Sequence, residues 1–274
     1  MLVDFHTHTQ ASDGALAPQA LLQRAEDAGV TMLAITDHDT LAGYLAVAEQ
    51  QSLPLKLVPG VELSCVWGAT TIHVVGLGFN PASASINGAV AQLQQARLER
   101  AEKIAHRLDK RGMPHALAGA QAIAQSSQLG RPHFARWMVE AGYVADMNAA
   151  FDKYLGQGKL GDVKAYWPPL EAVVRAIAEA GGVAILAHPL KYKFTRMKLN
   201  ALCEAFKASG GASIEIVNGR QTADETLKLR SLAEKWAFSV SMGSDFHRDW
   251  QFGAGLGVDS ALAGGLPAVW EHFA

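Results

Sequence analysis

The segment DFHTHTQASDG, residues 4–14, sets His6 and His8 two positions apart and follows them with Asp13 in a glycine-containing turn. Alternate side chains on a strand share a face, so both imidazoles would point the same way. Paired imidazoles with a carboxylate close behind are donors suited to a divalent cation. The same residue types return along the chain. TDHDT carries Asp37, His38 and Asp39, PGVELS carries Glu62, His73 follows, ILAHP carries His188, and GSDFH carries Asp245 and His247. Singly, each has a structural explanation as a helix cap, an Asx turn or a core histidine satisfied by backbone. Collectively that explanation fails, because such a group crowded at one place would repel or stay unsatisfied without cations. The donors are imidazole and carboxylate with no plausible thiolate, which suits zinc, manganese or iron rather than a Cys-rich structural zinc site. His6, His8, Asp13, His38, Glu62, His73, His188, Asp245 and His247 exceed the needs of one or two ions. Three ions would leave positions open for water and substrate.

The elements that must position these groups alternate. Apolar runs rich in β-branched residues predict strands at Leu2–His6, Met32–Thr36, Lys56–Val61, Thr71–Phe79, Val183–Ala187, Ser213–Val217 and Phe238–Met242. Helical patterns fall at Pro18–Ala28, Ala42–Gln51, Leu170–Ala180, Leu199–Ala208 and Ala223–Trp236, several ending at a glycine. Strand–helix alternation with short connections predicts mainly parallel strands, here an α/β fold built as a distorted seven-stranded barrel. Each candidate donor lies at or beyond a strand's carboxyl end, the chemical rim of such barrels. His73 is the exception. The connector LSCVWGATT is too short for a helical crossover, so the strands on either side should pair as a hairpin and return His73 to Glu62. The alternation breaks again over residues 81–166, which are alanine-rich and helical. Ile86, Val90, Leu93, Leu98, Ile104 and Leu108 form an apolar stripe there, ending at Gly112. We expect a barrel domain from residues 1–80 and 167–274, with 81–166 a helical insertion that contributes to substrate binding.

Bulk properties narrow the function classes. The 274 residues are 49% hydrophobic and 18% charged, an ordinary globular composition. The net charge of -2 argues against a general polyanion binder, so affinity for phosphate must come from a local patch. Cys65 and Cys203 occupy dissimilar contexts and predict no disulfide framework, which fits a reducing cytoplasm. The residues MLVDFHTH lack the basic and apolar regions of a signal peptide, and no apolar run approaches the roughly 20 residues that span a bilayer. No membrane association and no obligate protein partner are expected.

The motifs HTH with SDG, TDHD, PGVE, AHP and GSDFH together resemble the PHP family of phosphoesterases, named for polymerase and histidinol phosphatase. The resemblance implies that His6, His8, Glu62 and Asp245 hold one ion. It implies that Glu62 bridges to a second, completed by His73 and His188, and that Asp13, His38 and His247 hold a third. Many relatives carry histidine where this chain has Asp13, and an oxygen donor there favours manganese over zinc. The implied chemistry is attack on phosphorus by a hydroxide held between two cations. Glu62, Asp245 and His188 would be catalytic, Asp37 would orient imidazoles, and Asp39 would orient or carry a proton.

Substrate signals lie elsewhere. GRPHFAR supplies Arg131, His133 and Arg136, with Pro132 suited to a first helical turn whose N–H groups could face an anion. VKAYW supplies Lys164. KYKFTRMK, after His188, is read as mainly a solvated helix start. GRPHFAR and the insertion resemble a stand-alone bacterial branch of the family that removes the 3′-phosphate from nucleoside 3′,5′-bisphosphates, with related members trimming short RNA from the 5′ end. The resemblance implies that Arg131, His133 and Lys164 hold a 5′-phosphate. The expected partner is a small nucleotide, with short 5′-phosphorylated RNA the alternative. Histidinol phosphate fits less well, since its cationic amine would meet basic neighbours. A non-catalytic metal-binding module would be expected to have lost ligands, and none is missing.

Overall fold

A computed structural model describes residues 1–50, 54–125, 127–163, 166–249 and 253–273. Its contacts divide the chain into two compact units, residues 1–90 with 168–274, and residues 91–167.

In the first unit the expected alternation becomes strands β1 (Leu2–Asp4), β2 (Val30–Ile35), β3 (Lys56–Trp67), β4 (Thr70–Leu77), β5 (Val183–Leu186), β6 (Ser213–Asn218), β7 (Ser239–Gly243) and β8 (Val258–Asp259). They form one sheet in the order β7-β6-β5-β4-β3-β2-β1-β8. The wall comes back on itself where Phe5 N–H donates to Met242 O at 3.0 Å and His8 N–H donates to Phe246 O at 2.9 Å. The fold is thus the α/β barrel the pattern predicts, nearly closed. An eighth strand of two residues was not foreseen: Leu2 pairs with Asp259 and Val3 with Val258, antiparallel. So short a strand has no readable period.

β1–β2, β2–β3, β5–β6 and β6–β7 pair in parallel. β4 runs antiparallel to both β3 and β5. The hairpin is therefore present, but its extent corrects the sequence reading. Leu63–Trp67 belong to β3, so Glu62 lies inside the strand and not at its end. The register sets Ser64 opposite His73 and Glu62 opposite Val75. Glu62 and Ser64 share a face by the two-residue period, which brings His73 to the same side as Glu62.

Helices α1 (Pro18–Asp27), α2 (Ala42–Ala48), α3 (Ala84–Asp109), α4 (Ala116–Ala124), α5 (Arg131–Glu140), α6 (Met147–Ala150), α7 (Leu170–Glu179), α8 (Arg196–Ala208) and α9 (Ala223–Trp236) are the α-helices among the described residues. In the first unit Leu21, Leu22 and Ala25 of α1 are buried with Leu33 and Ile35 of β2. Two glycines permit close approach rather than a turn. A Cβ at Gly243 would lie 2.3 Å from His6 Cβ, and one at Gly43 would lie 1.9 Å from Asp37 Oδ2.

The second unit has its own apolar centre, in which Ile104 and Leu108 of α3 are buried with Ala116 and Ala120 of α4 and Phe134 and Met138 of α5. Small side chains let these short helices approach closely: a Cβ at Gly119 would meet the Trp137 ring at 2.0 Å. The stripe on α3 differs from expectation at Leu98, which is 47% exposed. Ala101 and Ala105 are buried instead, continuing the face one turn at a time towards Leu108. Among the described residues no helix is long and apolar enough to cross a membrane.

Candidate metal centre

Glu62 is fully buried at the centre of the barrel's polar end. Its two carboxylate oxygens face different imidazoles. Oε2 lies 3.2 Å from His6 Nε2, 3.4 Å from His8 Nε2 and 3.0 Å from His38 Nδ1. Oε1 lies 2.9 Å from His73 Nδ1 and 2.9 Å from His188 Nε2. Asp245 Oδ1 lies 3.5 Å from His6 Nε2 and 3.2 Å from His8 Nε2. Asp13 Oδ1 is 3.3 Å from His247 Nε2, and Asp13 Oδ2 is 4.0 Å from His38 Nε2. Donor atoms converge in four overlapping groups: His6 with His8 and Asp245, His6 with Glu62 and His188, His38 with Glu62 and His73, and His8 with Asp13, His38 and His247. All the sequence-derived donors are thus brought together. The partition is less tidy than the resemblance implies, because His38 reaches Glu62 as well as Asp13 and His8 also joins the Asp13 group.

Buried atoms without a hydrogen bond test whether cations fit. His6 Nε2, His8 Nδ1 and Nε2, Glu62 Oε2 and His73 Nδ1 are such atoms. Leaving buried polar atoms unsatisfied costs about 1–3 kcal/mol each, so a shared positive ligand is the economical resolution. The protonation states agree for the three carboxylates and for His8 and His73, whereas neighbouring carboxylates raise His6 and His247, which would release a proton on ligating a cation. Burial would raise the Glu62 carboxyl, but His38, His6 and His73 hold it well below the usual carboxylate range. Asp13 and Asp245 are likewise held low against burial, Asp13 by His38 and His247, Asp245 by His6 and His8 with Lys191. Burial, with His247 alongside, pushes His8 down to about 3, and burial also lowers His73. His6 moves the other way: burial is overcome by the charges of Glu62, Glu215 and Asp245. Anionic carboxylates and neutral imidazoles are the forms that ligate a cation.

The supporting residues correct several expectations. Asp37 takes its hydrogen bonds from the loop after β1. It accepts from Thr9 N–H at 2.7 Å, Thr9 Oγ1 at 2.6 Å and Ser12 Oγ at 2.6 Å, which fixes the turn that carries Asp13. Asp39, with φ 54°, accepts from Ser64 N–H at 2.6 Å and Ser64 Oγ at 2.9 Å, tying its loop to β3. The KYKFTRMK run is only partly a solvated helix start. Pro189–Tyr192 form a 3-10 turn before α8, in which Lys191 pairs with Asp245 and Tyr192 donates to Ala187 O at 3.0 Å.

Two buried acids escaped the sequence reading. Asp4 accepts from Ser244 N–H at 2.8 Å and Gly257 N–H at 2.9 Å, and burial raises it to about 6. Glu215 on β6 contacts His6 Nδ1 at 3.0 Å. The available signal was an acid inside an otherwise apolar strand, LVDF for Asp4 and SIEIV for Glu215.

The substrate residues of the second unit occupy local partners. Arg131 Nη1 donates to Leu155 O at 2.9 Å, and burial lowers the guanidinium below its ordinary value. His133 Nδ1 accepts from Gly130 N–H at 3.0 Å, so it caps its own helix. Arg136 pairs with Glu140 one turn on, at 2.8 Å. Lys164 lies outside the described residues. Tyr166 packs against the unit's apolar centre.

The PHP domain family matches residues 4–183. The chain is 40% identical to the 5′-3′ exoribonuclease Rnm of Escherichia coli (strain K12), over 99% of this chain and 93% of that one. It is 36% identical to the 3′,5′-nucleoside bisphosphate phosphatase of Chromobacterium violaceum, over 98% and 95%. Among solved structures, an amidohydrolase from Chromobacterium violaceum with bound sulfate and no metal aligns with a TM-score of 0.87 at 34% identity, covering 98% of this chain and 95% of that one.

Proposed function

The chain belongs to the PHP domain family, and on that premise we propose that it is a metal-dependent phosphoesterase acting on 5′-phosphorylated nucleotides. The preferred reaction is removal of the 3′-phosphate from a nucleoside 3′,5′-bisphosphate, giving a nucleoside 5′-phosphate and inorganic phosphate. The observation that carries this reading is the division of Glu62 between two sets of imidazoles, His6, His8 and His38 on one oxygen and His73 and His188 on the other.

We assign His6, His8, Glu62 and Asp245 to a first divalent ion, Glu62, His73 and His188 to a second, and Asp13, His38 and His247 to a third. The mixed oxygen and nitrogen donors favour manganese, with zinc or iron the alternatives. Divalent cations there supply Lewis acidity, lowering the pKa of coordinated water and offsetting charge on the phosphoryl oxygens. The protein's own part is positional. Asp37 holds the Asp13 turn, Asp39 holds its loop to β3 and is the candidate proton carrier, and Glu62 keeps two groups of imidazoles at a fixed spacing. Lys191, paired with Asp245, is a cation that phosphate could recruit. Arg131, with His133 and Lys164, is assigned to the 5′-phosphate; Arg136 is the most peripheral member of that set.

A second reading, stepwise release of mononucleotides from short 5′-phosphorylated RNA, is favoured by the 40% identity to the Escherichia coli exoribonuclease. Both need one anchored 5′-phosphate and one adjacent phosphoester. The test is phosphate release from adenosine 3′,5′-bisphosphate against mononucleotide release from a 5′-phosphorylated trinucleotide and phosphate release from histidinol phosphate, each with manganese. Phosphate from the bisphosphate supports the first reading and stepwise mononucleotides the second. Turnover of histidinol phosphate alone would overturn both.

A further inference from the structure

We propose that Glu215 is a positioning residue that sets the geometry of the metal centre by holding two ligands of different ions with one carboxylate. The inference rests on the metal-centre reading above. Glu215 is buried in β6, which is buried along its whole length. Oε1 lies 3.0 Å from His6 Nδ1. Oε2 accepts from His188 N–H at 2.6 Å and from Asn218 Nδ2 at 3.0 Å. One arm therefore acts on an imidazole ring and the other on a backbone amide.

The first arm selects a tautomer. A carboxylate facing Nδ1 requires a proton there, which leaves the Nε2 lone pair directed at Glu62 and Asp245, the atoms His6 already approaches. The second arm acts on conformation. His188 has φ 31° and ψ 57°, a left-handed backbone unfavourable for a residue with a side chain, and a short hydrogen bond from its own N–H holds it there. That backbone carries Nε2 to 2.9 Å from Glu62 Oε1. His6 and His188 thus sit on opposite oxygens of Glu62 and on opposite oxygens of Glu215, so the two carboxylates bracket the ligand pair. The Asn218 amide, itself a donor to Glu215, orients the bracket from the same strand.

The test uses zinc, which is diamagnetic, and protein carrying 15N-labelled histidine. In the zinc-loaded wild type, two-bond proton–nitrogen spectra should show His6 protonated at Nδ1 and bound through Nε2. Competition with a chromophoric chelator should show Glu215→Ala binding zinc roughly 10–100-fold more weakly. Glu215→Gln should fall between, because its carbonyl can still accept from one arm while its amide opposes a donor of the other. A wild-type His6 protonated at Nε2 overturns the inference without recourse to any variant. Zinc affinities unchanged in both variants overturn it too, while leaving the metal centre standing. A wild type that takes up neither zinc nor manganese in the same chelator competition overturns the metal-centre reading and this inference with it.

Discussion

The two units treat their polar side chains in opposite ways. At the barrel end, imidazoles and carboxylates from β3, β4 and four loops turn inward, and buried His8, His73 and Glu62 atoms lack hydrogen bonds. In the helical unit Arg131, His133 and Arg136 settle on their own surroundings, respectively the Leu155 carbonyl, the Gly130 amide and the Glu140 carboxylate. Polar groups that face each other unsatisfied point to a cation-binding site; polar groups satisfied locally point first to the stability of their own helices. The contrast separates a centre that needs a ligand from residues that could only borrow one.

The sharpest way to break it is Glu62→Gln. Removing the charge shared by five imidazoles should lower kcat on the order of 10³-fold, and near-normal phosphate release with manganese present would dissolve the barrel's side of the comparison. Arg131→Ala addresses the other side. Loss of a charged hydrogen bond to phosphate should reduce kcat/KM for a bisphosphate roughly 10–100-fold and leave a simple aryl phosphate nearly unaffected. Equal losses on both substrates would return Arg131 to a purely structural role. Gly43→Ala sharpens the comparison from outside the ligand set. Its Cβ would enter the space of Asp37 Oδ2 and disturb the turn that carries Asp13. Metal analysis should find occupancy of the Asp13 group reduced, with activity down about tenfold; full occupancy with full activity would show that Asp37 does not matter to that group. Arg136→Ala should change least. Its side chain is 66% exposed and pairs with Glu140 along its own helix, so kcat/KM should stay within about twofold and stability within about 0.5 kcal/mol.

How legible was this from sequence? Every donor of the cluster was visible, because metal-type residues recurring within or just after most strands are a pattern of residue types, and residue types are what a sequence displays. Glu62 and His73 were brought together for the right reason, a connector too short to cross over, though β3 continues through that connector to Trp67. Periodicity could not see β8, whose two residues are strand only because Leu2 and Val3 lie beside them. The resemblance gives Asp37 a part with imidazoles, whereas its hydrogen bonds come from Thr9 and Ser12, a pairing between loops that no motif displays.

By itself the sequence determined which donors exist, which strands carry them and that an α/β barrel would gather them, since strand period, helix period and short connections are local properties. The tertiary structure alone decided who faces whom. His38 is divided between Glu62 and Asp13, and Lys191 is drawn out of a basic run onto Asp245. Glu215 reaches back 209 positions to His6. Such pairings depend on the register and closure of the sheet, which bring distant segments within hydrogen-bond range and leave no trace in the spacing of the residues that meet.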